Sequence, residues 1–194
     1  SAQRPEIMSR EIDENSLAEK LEQASCIGFG PGLGTDTWAK ALFEHVTSLN
    51  KPMVLDADAL NWLAQYPQKR GDWILTPHPG EAARLLETDT ANIQKDRAAA
   101  TLALQKRYGG IVVLKGLGTL VFDGEQMWEN QGGNPGMATG GMGDVLTGAI
   151  TGLLAQLNNP LQATLCGVAA HTLAADRAAG DCPRGLLAMD VITE

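Results

Sequence analysis

Residues 134–148 of the chain read NPGMATGGMGDVLTG, a glycine-rich segment that ends in a carboxylate, Asp144, before the sequence turns apolar. The run that follows, at 145–157, repeats apolar residues at three- and four-residue spacing, which predicts a buried helix. We therefore expect Asp144 at or beside the N-terminal cap of this helix. Free backbone N–H groups and the positive end of the helix dipole make such a point a potential anion site.

Asp144 is the unusual residue of this segment. A site that binds an anion gains nothing from a carboxylate, unless the carboxylate has a chemical task such as accepting a proton. The alternative is that Asp144 serves only as a helix cap. The glycine-rich loop before it favours the chemical interpretation.

Length and composition restrict the class of protein. A chain of 194 residues with 44% hydrophobic and 20% charged residues fits one globular domain. The net charge of −8 and the lack of a basic stripe argue against nucleic-acid or membrane-surface binding. Cys26, Cys166 and Cys182 lack metal-ligand spacing, and predict reduced thiols in a cytoplasmic protein.

Apolar stretches bounded by turn residues predict six short strands, separated by segments with helical periodicity. These strands are at 24–29, 52–55, 73–75, 111–114, 120–122 and 126–128, and Asp123-Gly124 predicts a hairpin turn between the last two. Helices are expected at about 81–87 and 92–108, and a loop at 1–15. The alternation predicts an α/β fold, whose mainly parallel sheet has an antiparallel addition at one edge.

Polar or glycine-rich loops follow the predicted strands, at the sheet edge where α/β proteins bind ligands. Neither standard nucleotide fingerprint is present, because GPGLG at 30–34 fails the dinucleotide spacing and no P-loop sequence occurs. The loop KGLGT at 115–119 is more informative, since its glycines allow a ligand close to the backbone and Thr119 offers a hydroxyl. A hairpin turn with a solvated lysine is the alternative for this loop.

Several acids and histidines lie near the predicted edge. His78, between two prolines after a strand, is a candidate ligand contact, with a structural hydrogen bond to the backbone as the alternative. His45 and His171 lie inside predicted helices, and we interpret both as packing or surface residues. We expect Asp58 to cap the next helix, whereas Asp56 could order water or a metal.

Five motifs now stand in a recognisable order. They are GPGLG (30–34), LDADALN (55–61), TPHPGE (76–81), KGLGT (115–119) and GGMGD (140–144). Over roughly residues 16–194 the chain resembles the ADP-dependent NAD(P)H-hydrate dehydratase family, a branch of the ribokinase-like superfamily. The resemblance implies a three-layer sandwich with helices on both faces of the sheet.

The activity implied by the resemblance is repair of hydrated nicotinamide nucleotides, NADHX and NADPHX. ADP phosphorylates the ring hydroxyl and phosphate then leaves, which gives NAD(P)H, AMP and phosphate. The implied contacts of the hydrate are Gly34, His78 and Asp144, with Asp144 as the catalytic base. The implied ADP contacts are Lys115, Gly116, Leu117, Gly118, Thr119 and Gly143. Mg²⁺ is expected with it, and the sequence assigns no ligands to the metal.

The resemblance also implies a context for the chain. It suggests a homo-oligomer, a tetramer, in the cytoplasm, and an NAD(P)H-hydrate epimerase domain fused upstream in the parent protein. Family members normally begin with one further βα region, and none is found before residue 16. We also expect the last helix to be cut off at Glu194, so residues 1–194 would form a single domain that lacks its first βα region and the end of its last helix.

Two other functions remain open at this point. One is an ATP-dependent kinase of the same superfamily that acts on a vitamin-precursor alcohol, such as a hydroxymethylpyrimidine or a thiazole. The GGMGD loop fits that kinase equally well, whereas TPHPGE and GPGLG favour the dehydratase. The other is a non-catalytic nucleotide-binding or assembly module, which would bind ADP without turnover.

Overall fold

The computed structural model describes residues 14–194, where six strands form one sheet in sequence order. The first four strands are parallel, and the last three pair antiparallel as a meander at one edge. The prediction of a mainly parallel sheet with an antiparallel edge hairpin is therefore confirmed. The strands are β1 (Ile27–Phe29), β2 (Met53–Leu55), β3 (Trp73–Leu75), β4 (Ile111–Leu114), β5 (Leu120–Phe122) and β6 (Met127–Glu129).

Helices cover both faces of this sheet. They are α1 (Glu14–Gln23), α2 (Thr37–Ser48), α3 (Asp58–Gln65), α4 (Pro79–Leu85), α5 (Thr90–Lys95), α6 (Arg97–Tyr108), α7 (Met142–Leu157), α8 (Pro160–Ala179) and α9 (Ala188–Ile192). A 3₁₀ turn, Pro135–Met137, precedes α7. None of the helices in the described part of the chain is both long and apolar enough to cross a membrane.

Successive side chains of each strand point to opposite faces of the sheet, and each face packs into its own hydrophobic core. Leu55 and Leu75 pack with the apolar faces of helices α2 to α6. Their neighbours Val54, Ile74 and Val113 point the other way and pack against α7 and α8. Strands buried on both faces need continuous apolar runs, which explains why β2, β3 and β4 carry no polar residue. The result is the three-layer arrangement that the resemblance implies.

Small residues bring α7 close to the sheet and to α8. A Cβ on Gly28 of β1 would lie 2.6 Å from the Thr151 hydroxyl oxygen of α7. A Cβ on Gly167 of α8 would lie 2.6 Å from a side-chain carbon of Ile150. This packing fixes the first turn of α7 at the edge where the parallel strands end.

Some element boundaries differ from the prediction. The helix predicted at 92–108 is two helices, because the Asp96 side chain accepts a hydrogen bond from the N–H of Ala99 at 2.9 Å and so starts a new helix there. The helix predicted from 81 begins at Pro79, where proline suits the first turn. The loop predicted at 1–15 lies outside the described residues, apart from the two that begin α1.

Candidate functional site

Asp144 is the third residue of α7 and is exposed. The N-cap is Gly141, whose φ of 87° belongs to the left-handed region that glycine tolerates. The helix therefore begins three residues earlier than predicted, and Asp144 lies inside its first turn rather than at the cap. Among residues 14–194, no hydrogen bond or ion pair engages the Asp144 carboxylate.

Three cavities meet at Asp144. The loop cavity, about 550 Å³, lies between residues 115–119, the loop at 130–139 and helices α7 and α8. The glycine cavity, about 600 Å³, lies between residues 28–33, Trp38 and α7. The helix cavity, about 550 Å³, lies between α7, α8 and α9. Asp144 is exposed and lines all three, so a ligand in any of these cavities would lie beside this residue.

Lys115 forms a buried ion pair at the base of the loop cavity. Its Nζ donates to Asp56 Oδ1 at 2.7 Å, and Thr147 of α7 donates to Asp56 Oδ2 at 2.9 Å. The Lys115 side chain is only 18% exposed and that of Asp56 only 1%. The alternative of a solvated lysine is therefore wrong. Because both oxygens of Asp56 have protein partners, this aspartate joins β2, β4 and α7.

His78 is the N-cap of α4. Its Nδ1 accepts hydrogen bonds from the N–H groups of Gly80 at 3.0 Å and Glu81 at 3.3 Å. The Glu81 carboxylate accepts in return from the N–H of His78 at 2.7 Å, which completes a capping box. His78 thus makes the structural hydrogen bonds to the backbone that were considered as the alternative to ligand contact. About half of its side chain stays exposed on the wall of the loop cavity. Burial, with the positive charges of Lys115 and Arg84, lowers the pKa of His78.

Glu81 is a site residue to which the sequence assigned no role. Its carboxylate lies 3.9 Å from Lys115 Nζ and 3.3 Å from His78 Nε2. Burial raises the pKa of Glu81, and the charge of Lys115 opposes that rise. The glutamate three residues after a loop histidine was the available signal, since this spacing is typical of a capping box.

The described residues contain no cluster of three or more histidine, cysteine, aspartate or glutamate side chains able to hold a metal. Asp56 and Glu81 nevertheless place two carboxylates on the wall of the loop cavity. Mg²⁺ commonly binds through one or two carboxylates and completes its shell with substrate phosphates and water. Both oxygens of Asp56 are used by Lys115 and Thr147, and Glu81 accepts from the N–H of His78, so these two carboxylates are not free donors for the metal.

The loop at 115–119 is held in one conformation by its own contacts. The Thr119 hydroxyl donates to the Gly116 carbonyl at 2.9 Å, and the Arg97 guanidinium donates to the Leu114 and Gly118 carbonyls at 3.1 and 3.0 Å. A Cβ on Gly116 would lie 2.4 Å from Arg97 Nη1, so glycine is required there.

Leu117 is the exposed residue of this fixed loop. Its side chain is 91% exposed at the cavity wall, which is unusual for a large apolar residue. The loop therefore offers an apolar side chain and backbone groups, rather than a free lysine, to a ligand.

The predicted site residues divide into two groups. Gly143 lies beside the ion pair, since a Cβ there would be 3.0 Å from Lys115 Nζ and 3.3 Å from Asp56 Oδ2. Most of the others line the loop cavity together: His78, Lys115, Gly116, Leu117, Thr119, Gly143 and Asp144. Gly118 belongs to the same loop and supports it through its bond from Arg97.

Gly34 is separate from this group. Its N–H donates to Asp58 Oδ2 at 2.8 Å, and its carbonyl accepts from the Trp62 indole at 3.0 Å. The expectation that Asp58 caps α3 is therefore wrong, because the N-cap is Ala57 and Asp58 instead fixes the loop at 30–34. That loop forms one side of the glycine cavity.

His171 of α8 is the second residue whose position the sequence did not reveal. It is buried, as the packing interpretation expects, but it also lines the loop and helix cavities. Its Nε2 is the one buried side-chain nitrogen or oxygen of the described residues without a hydrogen-bond partner. Burial and the charge of Lys115 lower its pKa, and a hydrogen bond to the Met142 backbone works in the opposite direction.

Solved structures and characterised relatives resemble this arrangement. A ribokinase-like superfamily protein from Enterococcus faecalis superposes with a TM-score of 0.87 at 30% identity, over 99% of this chain and 69% of that one. The ADP/ATP-dependent NAD(P)H-hydrate dehydratase from Bacillus subtilis, co-crystallised with ATP and Mg²⁺, matches with a TM-score of 0.78 at 35% identity. That alignment covers 86% of this chain and 61% of that one. The expected ribokinase-like architecture is confirmed.

Sequence comparison leads to the same family. The bifunctional NAD(P)H-hydrate repair enzyme Nnr of Coxiella burnetii is 50% identical over 194 residues, which cover 98% of this chain. The chain spans only 40% of the length of that relative. A family model described as NAD(P)H-hydrate dehydratase matches residues 1–194. The chain therefore belongs to the NAD(P)H-hydrate dehydratase family.

Proposed function

We propose that the chain catalyses the ADP-dependent dehydration of NADHX or NADPHX to NADH or NADPH, with AMP and phosphate as the other products. The proposal rests on one observation, the unpaired carboxylate of Asp144 at the junction of the loop and glycine cavities. A nucleotide in the first cavity and a hydrated ring in the second would meet at this carboxylate. Membership of the family supports this choice.

In this proposal the loop cavity binds ADP. Its contacts are the loop at 115–119, through Leu117 and the backbone, and Gly143 at the start of α7. N–H groups at the helix start favour the negative phosphates. Lys115 supplies positive charge while it stays paired with Asp56, so the cavity does not hold an uncompensated buried cation.

The hydrate is proposed to contact Gly34, His78 and Asp144. A hydrated dinucleotide is long enough to touch both the glycine cavity and the wall of the loop cavity. Asp144 accepts the proton of the ring hydroxyl while the hydroxyl oxygen bonds to the terminal phosphorus of ADP, and AMP leaves. General-base assistance of this kind typically accelerates a reaction ~10²–10⁴-fold.

The second half of the reaction needs little from the protein. The lone pair of the ring nitrogen expels phosphate from the neighbouring carbon, and a proton then leaves the next ring carbon to form the double bond. Phosphorylation matters here because phosphate is a far better leaving group than hydroxide. Mg²⁺ that arrives with the ADP phosphates would supply charge neutralisation to the transferred group, while Lys115 contributes positive charge from the protein.

A direct assay tests the proposal. Purified protein is mixed with hydrated NADPH, Mg²⁺ and ADP, and both the near-ultraviolet absorbance of NADPH and the release of phosphate are followed. We expect absorbance and phosphate to rise in equal amounts. ADP binding without turnover would instead support the non-catalytic module. Phosphorylation of a hydroxymethylpyrimidine or thiazole alcohol by ATP, with no recovery of NADPH, would support the vitamin kinase.

The proposal also covers the oligomeric state and the cellular location of the protein. We propose a cytoplasmic homotetramer that works with an NAD(P)H-hydrate epimerase domain, as the family resemblance implies. Light scattering of the purified chain tests the tetramer, and a monomer at all concentrations would contradict it. The three cysteines are unpaired in the described structure, in keeping with a reducing compartment.

A further inference from the structure

Residues 130–134 form a wall of the loop cavity without belonging to a helix or strand. They connect β6 to the 3₁₀ turn at Pro135–Met137, and four of the five line the cavity. An irregular segment of this kind would be mobile unless side chains held it in place. Its contacts therefore decide whether the wall is fixed before a ligand arrives.

Asp176 of α8 holds the centre of this segment. Its Oδ2 accepts from the N–H of Gly133 at 3.0 Å, and its Oδ1 accepts from the side-chain amide of Asn134 at 2.9 Å. The Asn134 amide also donates to the carbonyl of Ala175 at 3.1 Å. Both carboxylate oxygens are thus used, and Asp176 does not itself line the cavity.

A second contact ties the start of the segment to the same helix. The Asn130 side-chain amide donates to the Thr172 hydroxyl at 2.9 Å. Between the two contacts, a Cβ on Gly132 would lie 2.7 Å from Thr172 Cγ2 and 3.2 Å from Asp176 Oδ2. The backbone is therefore pressed against α8 at a distance that only glycine allows.

The same segment also reaches the loop at 115–119. The N–H of Asn130 donates to the Thr119 carbonyl at 2.9 Å. Residues 130–134 consequently bridge α8 and the loop proposed to bind ADP. The contacts of Asp176 and Thr172 therefore connect that loop to α8 through this segment.

We propose that Asp176 is a positioning residue for the nucleotide, an inference that rests on the proposed function. By holding residues 130–134 against α8, Asp176 fixes the wall of the cavity before ADP binds. Without this contact ADP would have to order the segment on binding, and its affinity would fall. The glycine cavity does not include the segment, so affinity for the hydrate depends on Asp176 much less.

Two substitutions at Asp176 should weaken ADP binding to different extents. Asp176→Asn keeps one acceptor oxygen but turns an NH₂ group towards a backbone or amide donor, whereas Asp176→Ala removes both acceptors. We expect the Kd of ADP, measured by calorimetry, to rise roughly tenfold in Asp176→Ala, the scale of one lost hydrogen bond to a charged group. Asp176→Asn should lie between that variant and the wild type. Asp181→Asn, an exposed aspartate just after α8, is the matched control and should bind ADP normally.

Further measurements separate positioning from general destabilisation. Amide hydrogen exchange should accelerate over residues 130–134 in Asp176→Ala while β2 to β4 stay protected. The KM for ADP should rise more than the KM for the hydrate. If Asp176→Ala folds poorly, Thr172→Val removes the contact to Asn130 and should raise the Kd of ADP by a smaller factor. Because Thr172 also lines the cavity, faster hydrogen exchange over residues 130–134 must accompany this change in affinity.

The outcomes distinguish this inference from the proposed function. A wild-type chain that does not bind ADP would overturn the proposed function, and this inference with it. A wild type that binds ADP, with unchanged affinity in Asp176→Ala and Thr172→Val, would overturn the inference alone. An equal rise in both KM values would also overturn it, because it would indicate a general structural effect.

Discussion

The two sides of the candidate site differ in how their polar groups are engaged. On the side of the loop at 115–119, Lys115 is paired with Asp56, and Thr119 and Arg97 close the loop with internal hydrogen bonds. On the side of α7, the Asp144 carboxylate has no partner among the described residues. Groups proposed to hold a ligand are fixed in advance here, while the group proposed to move a proton is left free.

Each arrangement has a physical reason. A loop that is already ordered loses little conformational entropy when a ligand binds. A carboxylate that accepts a proton from substrate must not be occupied by a protein donor, because a bound donor would compete for its lone pairs. Substitutions on the two sides should therefore have different consequences. Those at Asp144 should lower turnover, and those on the side of the loop at 115–119 should lower stability or ADP affinity.

The largest effect is expected at Asp144. Asp144→Asn keeps the shape of the side chain but removes its ability to accept a proton, so turnover should fall ~10²–10⁴-fold. ADP affinity should stay within about twofold, because the loop at 115–119 is unaltered. Turnover from the NADPH absorbance assay and ADP binding by calorimetry test the two halves. Near-normal turnover would remove Asp144 as the base.

The second effect concerns stability on the fixed side. Lys115→Met leaves the Asp56 carboxylate buried without its cation, which should cost about 3–5 kcal/mol in the free energy of unfolding. Lys115→Met combined with Asp56→Leu removes both charges and should recover much of that loss, because a buried ion pair replaced by apolar residues is often neutral. Urea denaturation measures both variants. Equal stability of Lys115→Met and wild type would mean that the pair is not buried in solution.

Much of the fold was predictable from local sequence. Continuous apolar runs such as 111–114 identified buried parallel strands, and Asp123-Gly124 identified the hairpin. The break at Asp96 was missed, since a helix pattern on both sides of a polar residue looks continuous when capping is not considered. Glycine spacing likewise identified the loop at 140–144, but not that α7 begins at Met142 rather than after Asp144.

Candidate site residues in loops that follow strands could be predicted from the sequence, whereas those further along a helix could not. Lys115 and His78 were identified because loops at the carboxyl ends of parallel strands share one edge. Asp144 was identified from the glycine-rich segment before an apolar run, and Gly143 from the family resemblance. Thr147 and His171 lie within helices, and their sequence spacing does not show which cavity they face. The pairing of Lys115 with Asp56 was also hidden, because these residues follow two different strands that are distant in sequence.

A third, smaller effect is expected at Arg97, which holds the loop at 115–119 from α6. Arg97→Lys keeps a positive charge but cannot reach both the Leu114 and Gly118 carbonyls with one planar group. The loop should loosen, and the Kd of ADP should rise roughly fivefold to tenfold, since one or two hydrogen bonds are lost. Arg107→Lys, on the exposed side of the same helix, is the control. Unchanged ADP binding in both variants would show that the loop is held by its own turn alone.

The smallest effect is a change in the pH dependence of stability at His171. Burial and the charge of Lys115 lower the pKa of His171 in the folded protein. At pH values between this lowered pKa and the unfolded value of about 6.5, the unfolded chain therefore binds more protons than the folded protein. Stability should therefore be fully present above about pH 6.5 and decrease as the pH falls. His171→Leu abolishes this contribution.

The wild-type curve of unfolding free energy should consequently fall more steeply than that of His171→Leu between about pH 7.5 and 5.5. At neutral pH the two proteins should differ by no more than about 1 kcal/mol, because losing the bond to Met142 and removing the unpaired Nε2 act in opposite directions. His78 has a lowered pKa for similar reasons and adds the same slope to both proteins, so only the difference between the curves reports on His171. His45→Gln, at an exposed position of α2, is the control. Parallel curves for wild type and His171→Leu would mean that folding does not lower the pKa of the buried imidazole.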